Sequence, residues 1–122
     1  MRVLFLFLLL VSVKSFAQEA ECGDLTHLHA LKAGNPIVKV APKYPRQGTA
    51  RPTPGCAVIT FELIPKKGTD GKALIPSSLK VYAASEPRFG KVSIQAIEKW
   101  LYLAKNVEHA PLYYTVMQFE LE

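Results

Sequence analysis

The chain has 122 residues and a formal net charge of +5, which suits one domain and leaves no room for a second. Positive charge of this size favours contact with acidic peptides or membrane surfaces. The sequence lacks interleaved aromatic and basic residues, so we expect no nucleic-acid partner. Only two aspartates occur, and the local motifs of hydrolases and metalloproteases are missing. We therefore expect a binding module without a cofactor rather than an enzyme.

Residues 1–17 have the three parts of a secretory signal peptide. Arg2 supplies the positive start, residues 3–13 are almost all apolar, and the small residues Ser15 and Ala17 precede a cleavage position. Cleavage there removes Arg2 and Lys14 and lowers the formal charge from +5 to +3. The apolar run is shorter than the roughly 20 residues that span a bilayer as a helix. We expect cleavage and secretion, with an uncleaved membrane anchor as the alternative.

Cys22 and Cys56 are the only cysteines of the chain. In a secreted protein an even number of cysteines favours a disulfide. A bridge between these two would stabilise the fold by about 3–4 kcal/mol in the chain-entropy description. It would also join the N-terminal segment to the first strand.

Residues 18–37 are interpreted as an N-terminal appendage with a short helix. Asp24 is a candidate N-cap, Leu25, Leu28 and Leu31 form a stripe, and Gly34 is a stop. The alternative for this segment is a metal site built from Cys22, His27 and His29. Residues two apart on a helix point away from each other, and zinc sites normally show paired ligand clusters. We therefore predict no metal ligand here.

Three strands and a longer helix are predicted after an extended segment at 35–41 and a short helix from Pro45 to Ala50. The first strand, Cys56 to Ile64, alternates apolar residues as a half-buried strand does. A loop that contains two glycines leads to an irregular strand from Ala73 to Ser85. A helix from Lys91 to Ala104 follows, with Trp100 on its apolar stripe packed onto Ile59 and Phe61. The last strand is Leu112 to Leu121.

Several of these residues match one family at its own spacing. The sequence has Pro42, Tyr44 and Pro45 as a Pro-x-Tyr-Pro element, then Gly55 ten residues later and Phe61 six residues after that. This pattern resembles the C-terminal domain of TonB-type energy transducers. Further matches are Ala50, Phe89, Ala96, Trp100, Tyr102 and the Phe-x-Leu ending. Gly90 stands where the family has a capping aspartate, and the long Pro-rich linker of classical members is absent.

The resemblance covers residues 38–122 and implies an α+β fold. That fold is a small twisted antiparallel sheet of about three strands with two helices packed on one face. In the family the last strand is an exposed edge, which pairs by strand addition with N-terminal box segments of TonB-dependent outer-membrane receptors. The Tyr-Pro element touches the receptor as well. Carried over to this sequence, the partner-binding residues are Pro42, Tyr44, Pro45, Tyr113, Thr115, Met117, Phe119 and Leu121.

The function implied is that of a periplasmic module linked to TonB-dependent transport, and the same edge would allow a homodimer. Thirty residues between Val13 and Tyr44 reach at most about 100 Å when fully extended. We therefore expect a soluble module that does not transmit force itself. The alternatives are a minimal energy transducer, anchored in the inner membrane by an uncleaved signal and facing the periplasm, and a periplasmic metal-binding protein.

Overall fold

The computed structural model describes residues 22–45 and 52–120. Its five strands are β1 (Leu31–Lys32), β2 (Gly55–Pro65), β3 (Ala73–Ala84), β4 (Tyr102–Leu103) and β5 (Tyr113–Phe119). One α-helix, α1 (Pro87–Ile97), precedes β4, and a 3-10 turn at Ala104–Asn106 follows it. The predicted signal peptide, residues 46–50 of the helix predicted to begin at Pro45, and Leu121 lie outside the described residues.

The strands form one sheet in the order β1-β5-β2-β3-β4. β1 runs parallel to β5, and every other pair is antiparallel. The predicted α+β class is confirmed, and the predicted strands appear as β2, β3 and β5. The expected count of three strands is too low, because one strand of only two residues is added at each side of the sheet.

β2 lies at the centre of the sheet between β5 and β3, which explains its composition. Ala57, Ile59 and Phe61 belong to the core cluster, and Cys56 and Val58 on the opposite face are also fully buried. The prediction of a half-buried strand is therefore wrong for residues 55–61. Both faces of β2 are covered over this length, and only its far end at Glu62 to Pro65 reaches solvent.

The helix begins and ends earlier than its apolar spacing predicts. Pro87 occupies the first turn, where a fixed φ and a missing N–H are both tolerated. The helix ends at Ile97, so the prediction of a helix to Ala104 is wrong. Tyr102 and Leu103 pair instead with Leu74 and Ala73 of β3, and this pairing overrides the helical spacing of the segment.

Trp100 lies in the turn after α1 and is buried, with 3% of its surface exposed. It belongs to the same core cluster as Ile59 and Phe61, as predicted, but it lies after the helix and not on its apolar stripe. Its indole N–H donates a hydrogen bond of 2.8 Å to the backbone carbonyl of Val40. Trp100 therefore joins the extended segment before Pro42 to the core.

The predicted helix at Asp24 to Ala33 is wrong, because this segment forms a turn and then a strand. The Asp24 carboxylate accepts hydrogen bonds from the hydroxyl and the backbone N–H of Thr26. Both bonds lower the pKa of Asp24, and the bond from the Thr26 hydroxyl has the larger effect. The Leu28 N–H then donates to the Leu25 carbonyl. An aspartate that can cap a helix caps a turn equally well, and β1 follows in the sheet.

Candidate functional site

The sheet ends on both sides in strands of two residues, which leaves longer stretches of β5 and β3 at its edges. β1 covers β5 only at Tyr113 and Tyr114. β4 covers β3 only at Ala73 and Leu74. Unpaired backbone groups along an edge are a template for an additional strand. Both stretches are therefore candidate sites for an extended peptide.

The pairing of β1 shows which backbone groups of β5 face outward. The N–H of Leu31 donates to the carbonyl of Leu112 at 3.0 Å, and the N–H of Ala33 donates to that of Tyr114 at 2.8 Å. Since backbone groups alternate in direction along a strand, those of Val116 and Gln118 face the same side. No strand among residues 22–45 and 52–120 pairs with them there. This stretch is called the β5 edge below.

The side chains predicted to bind a partner on β5 point toward the core. Tyr113, Met117 and Phe119 are buried, and Thr115 is half-buried. A segment added at the β5 edge would therefore be held by main-chain hydrogen bonds. The side chains nearest to it on the opposite face are those of Val116, half-buried, and Gln118, exposed.

The Tyr-Pro element is fixed against the sheet. The Tyr44 hydroxyl donates to the carbonyl of Thr53 at 2.6 Å and accepts from its N–H at 2.7 Å. Its ring meets the rings of Phe89 and Phe119 edge to face, with centroids 5.8 and 6.4 Å apart. Pro45 is buried beside it. Tyr44 thus has a packing role in the folded protein, whatever it contributes to a partner.

Arg88 is a further neighbour of Tyr44. Its guanidinium pairs with Glu86 at 2.8 Å and donates to the Thr53 hydroxyl at 3.1 Å. It also lies 4.9 Å from the ring centroid of Phe89 and 5.8 Å from that of Tyr44. One arginine next to a Glu-Pro step carries no pattern that would have identified it. Its role follows only from the packing of α1.

The edge of β3 is less regular than that of β5. Its pairing with β2 shifts register twice, and Ser78 has a positive φ of 53°. Val81 and Tyr82 are 44% and 42% exposed on this strand. Bulges bend an edge and weaken it as a template, which is how many sheets avoid unwanted pairing. β5, whose register with β2 is continuous from Tyr113 to Phe119, is the better template.

The disulfide between Cys22 and Cys56 is confirmed, with Cα atoms 5.7 Å apart. Its formation leaves neither sulfur as a thiolate for a metal. Within the described ranges, no three His, Cys, Asp or Glu side chains are grouped as metal ligands would be. None of the helices described there is long and apolar enough to cross a membrane.

Comparisons of the chain with protein-family models, with curated proteins and with solved structures found no match. The relationship to TonB therefore depends on the motif spacing alone and remains a proposal. The geometry of the β5 edge does not depend on it.

Tyr102 lines a cavity of about 210 Å³ between β1 and the loop before β5. Its hydroxyl is buried and has no hydrogen-bond partner among the described residues. Burial raises the pKa of Tyr102 from 10.0 to about 12. Tyr113 lines the same cavity, and its hydroxyl makes two hydrogen bonds. It donates to the Glu108 carbonyl and accepts from the Ala110 N–H.

Tyr102 should make folding stability depend on pH only at alkaline pH. Below about pH 10 both the folded and the unfolded state keep the proton, and above it the unfolded state loses the proton first. Stability should therefore fall between about pH 10 and pH 12. Tyr102→Phe should remove this part of the fall and remain within about 1 kcal/mol of the parent at pH 7. Urea unfolding across pH 7–12 measures both effects.

Tyr113→Phe is the matched control for this prediction. It deletes a hydroxyl that makes two hydrogen bonds, so it should cost about 1–2 kcal/mol at pH 7. Equal alkaline slopes in the parent and in Tyr102→Phe would contradict the assignment.

Proposed function

We propose that the protein is a periplasmic, TonB-like protein-binding module. It takes up an extended N-terminal segment of an outer-membrane receptor by strand addition at the β5 edge, and it takes part in TonB-dependent transport. The observation that carries the proposal is the two-residue pairing of β1. Two outward carbonyls, those of Leu112 and Tyr114, are bonded by residues in and next to β1, and the outward groups continue past it at Val116 and Gln118, where an extended peptide could pair in the same way.

The arrangement around this edge supports the proposal. β5, β2 and β3 form an antiparallel set with α1 packed against β2 and β3, as the resemblance implies. The core side chains Tyr113, Met117 and Phe119 anchor β5 to the core from one face. A strand that is already ordered before binding loses little conformational entropy when a peptide pairs with it, so its main-chain hydrogen bonds contribute more to the affinity.

The open part of β5 sets the length of the segment that fits. Thr115 to Phe119 are five residues, and only Val116 and Gln118 direct their backbone groups outward. A partner box of about five residues in extended form therefore fills it. A peptide in this place would lie end to end with β1 or would displace it.

The test uses the purified full chain and synthetic peptides copied from receptor N-terminal boxes. Gln118→Pro removes an outward N–H, which an edge strand tolerates, and should lower the affinity about tenfold. Gln118→Ala changes the side chain but keeps that N–H, so it should change affinity less than about twofold. Amide chemical shifts should move at Val116 and Gln118 in the parent protein.

Loss of binding in both variants to the same extent would contradict a main-chain contact, and so would shifts confined to His27 and His29. A homodimer is the second possible use of the edge, and analytical sedimentation tests it. If the protein dimerises through this edge, Gln118→Pro should reduce self-association. The intact mass of the secreted protein separates a cleaved, soluble module from the anchored transducer. Metal content after purification tests the metal-binding alternative.

A further inference from the structure

A groove that differs from the β5 edge runs between α1 and the extended segment Val40–Pro45, which we call the strap. One part of the groove, of about 630 Å³, lies between Pro45 and the first turns of α1. A second part, of about 170 Å³, lies between Pro42 and the last turns of α1. Val92 and Gln95 line both parts, so the two adjoin along the helix. Together they form one trough.

The charges along this trough are almost all positive. Lys43 lies on the strap, and Lys91 and Lys99 lie on the helix side. All three are exposed, and none forms an ion pair with a carboxylate of the described residues. The one carboxylate in the lining, that of Glu86, is already paired with Arg88 at 2.8 Å. The trough therefore presents three uncompensated lysines.

Apart from Gln95, the side chains between these lysines are apolar, and the strap offers few backbone donors. Pro42 and Pro45 have no N–H, and Val92 and Ala96 form the apolar part of the helix wall. The two prolines interrupt a ladder of main-chain hydrogen bonds along the strap, which disfavours an added strand there. The lysine ammonium groups and the apolar side chains therefore supply the main contacts for a ligand.

The spacing of the lysines selects the shape of the ligand. Lys91 lies in α1 and Lys99 in the turn two residues after its end, and eight residues at a helical rise correspond to about 12 Å. An extended peptide advances about 3.3 Å per residue, so carboxylates four residues apart are separated by about 13 Å and lie on the same side. We propose that the trough is a second partner site that binds an extended acidic peptide, with carboxylates at positions i and i+4 and apolar residues between them.

This site is independent of strand addition at the β5 edge. The test measures binding of the peptide acetyl-Glu-Val-Thr-Val-Glu-amide to the full chain at low salt, with the neutral Gln-Val-Thr-Val-Gln peptide beside it. The acidic peptide should bind more tightly, and the difference should fade as salt is raised above about 0.1 M. Amide shifts should appear at Val92 and Gln95.

Charge reversal provides the decisive comparison. Lys91→Glu with Lys99→Glu should lower the affinity for the acidic peptide about tenfold, because two attractions become repulsions. Lys66→Glu with Lys67→Glu changes the net charge equally in the exposed β2–β3 loop and should change affinity less than about twofold. Melting curves should show both double variants folded.

Equal losses in the two double variants would overturn the proposal, because net charge alone would then explain binding. Shifts at Val116 and Gln118 instead of Val92 and Gln95 would also overturn it, and would leave strand addition intact. A third contrary result is self-association that the Lys91→Glu, Lys99→Glu variant abolishes. That result would assign the trough to a second copy of this chain, through an acidic segment such as its C-terminal Glu-Leu-Glu.

Discussion

Replacing Trp100 with alanine should lower the free energy of unfolding by about 3–5 kcal/mol. Trp100 is 3% exposed and belongs to the cluster that contains Ile59 and Phe61, so truncation leaves a large cavity. The substitution also deprives the Val40 carbonyl of its indole donor at 2.8 Å. The strap between Val40 and Pro45 then loses one of its attachments to the core.

Urea unfolding followed by far-UV circular dichroism measures this loss. Trp100→Phe retains a ring in the cavity and removes the N–H, so it should fall between the parent and the alanine variant. Lys39, whose ammonium lies 5.6 Å from the Trp100 centroid, is a control: Lys39→Ala should change stability by less than about 1 kcal/mol. An unchanged midpoint for Trp100→Ala would contradict the buried position.

The long strands could be predicted because their patterns are strong and local. β2 alternates β-branched and aromatic residues, and the Lys66–Lys72 loop carries two glycines with positive φ at Gly68 and Gly71. β5 shows period 2 at its end, where the buried Met117 and Phe119 flank the exposed Gln118. Each of these patterns extends over only a few residues, so it predicts a strand or a turn without any information about the rest of the chain.

β1 and β4 could not be predicted, because strands of two residues carry no periodicity. Leu31 pairs with Tyr113 across more than eighty residues, and only the position of β5 decides this pairing. Leu25, Leu28 and Leu31 have the spacing of a helix, yet the Asp24 turn and the β5 edge determine the outcome. α1 ends early for a similar reason, because Tyr102 pairs with Leu74 of β3.

Only part of the candidate site could be predicted from the sequence. The motif identified Tyr44 and Pro45, but the contact of Tyr44 with Phe89 and Phe119 depends on three segments meeting in space. Lys91 and Gln95 are recognisable as the polar face of a helix. Their position opposite Pro42 and Pro45 becomes visible only when the strap is seen against α1.

Reduction of the Cys22–Cys56 disulfide should lower the free energy of unfolding by about 3–4 kcal/mol. The bridge spans a sequence separation of 34, and it restricts the unfolded chain more than it strengthens any contact in the folded one. Reduction of the parent protein is a cleaner change than substitution, because Cys56 is fully buried and a smaller residue there would add a packing loss.

Urea unfolding with and without dithiothreitol measures this effect, and the Cys22→Ala, Cys56→Ala double variant is the control. The reductant should shift the midpoint of the parent and leave that of the double variant in place. Hydrogen exchange adds a local readout, because the bridge ties the segment that precedes β1 to β2. On reduction the amides of Leu31 and Ala33 should exchange faster, while those at the centre of β2 should change only with global stability. Equal midpoints for the oxidised and reduced parent would show that the bridge does not constrain the unfolded chain.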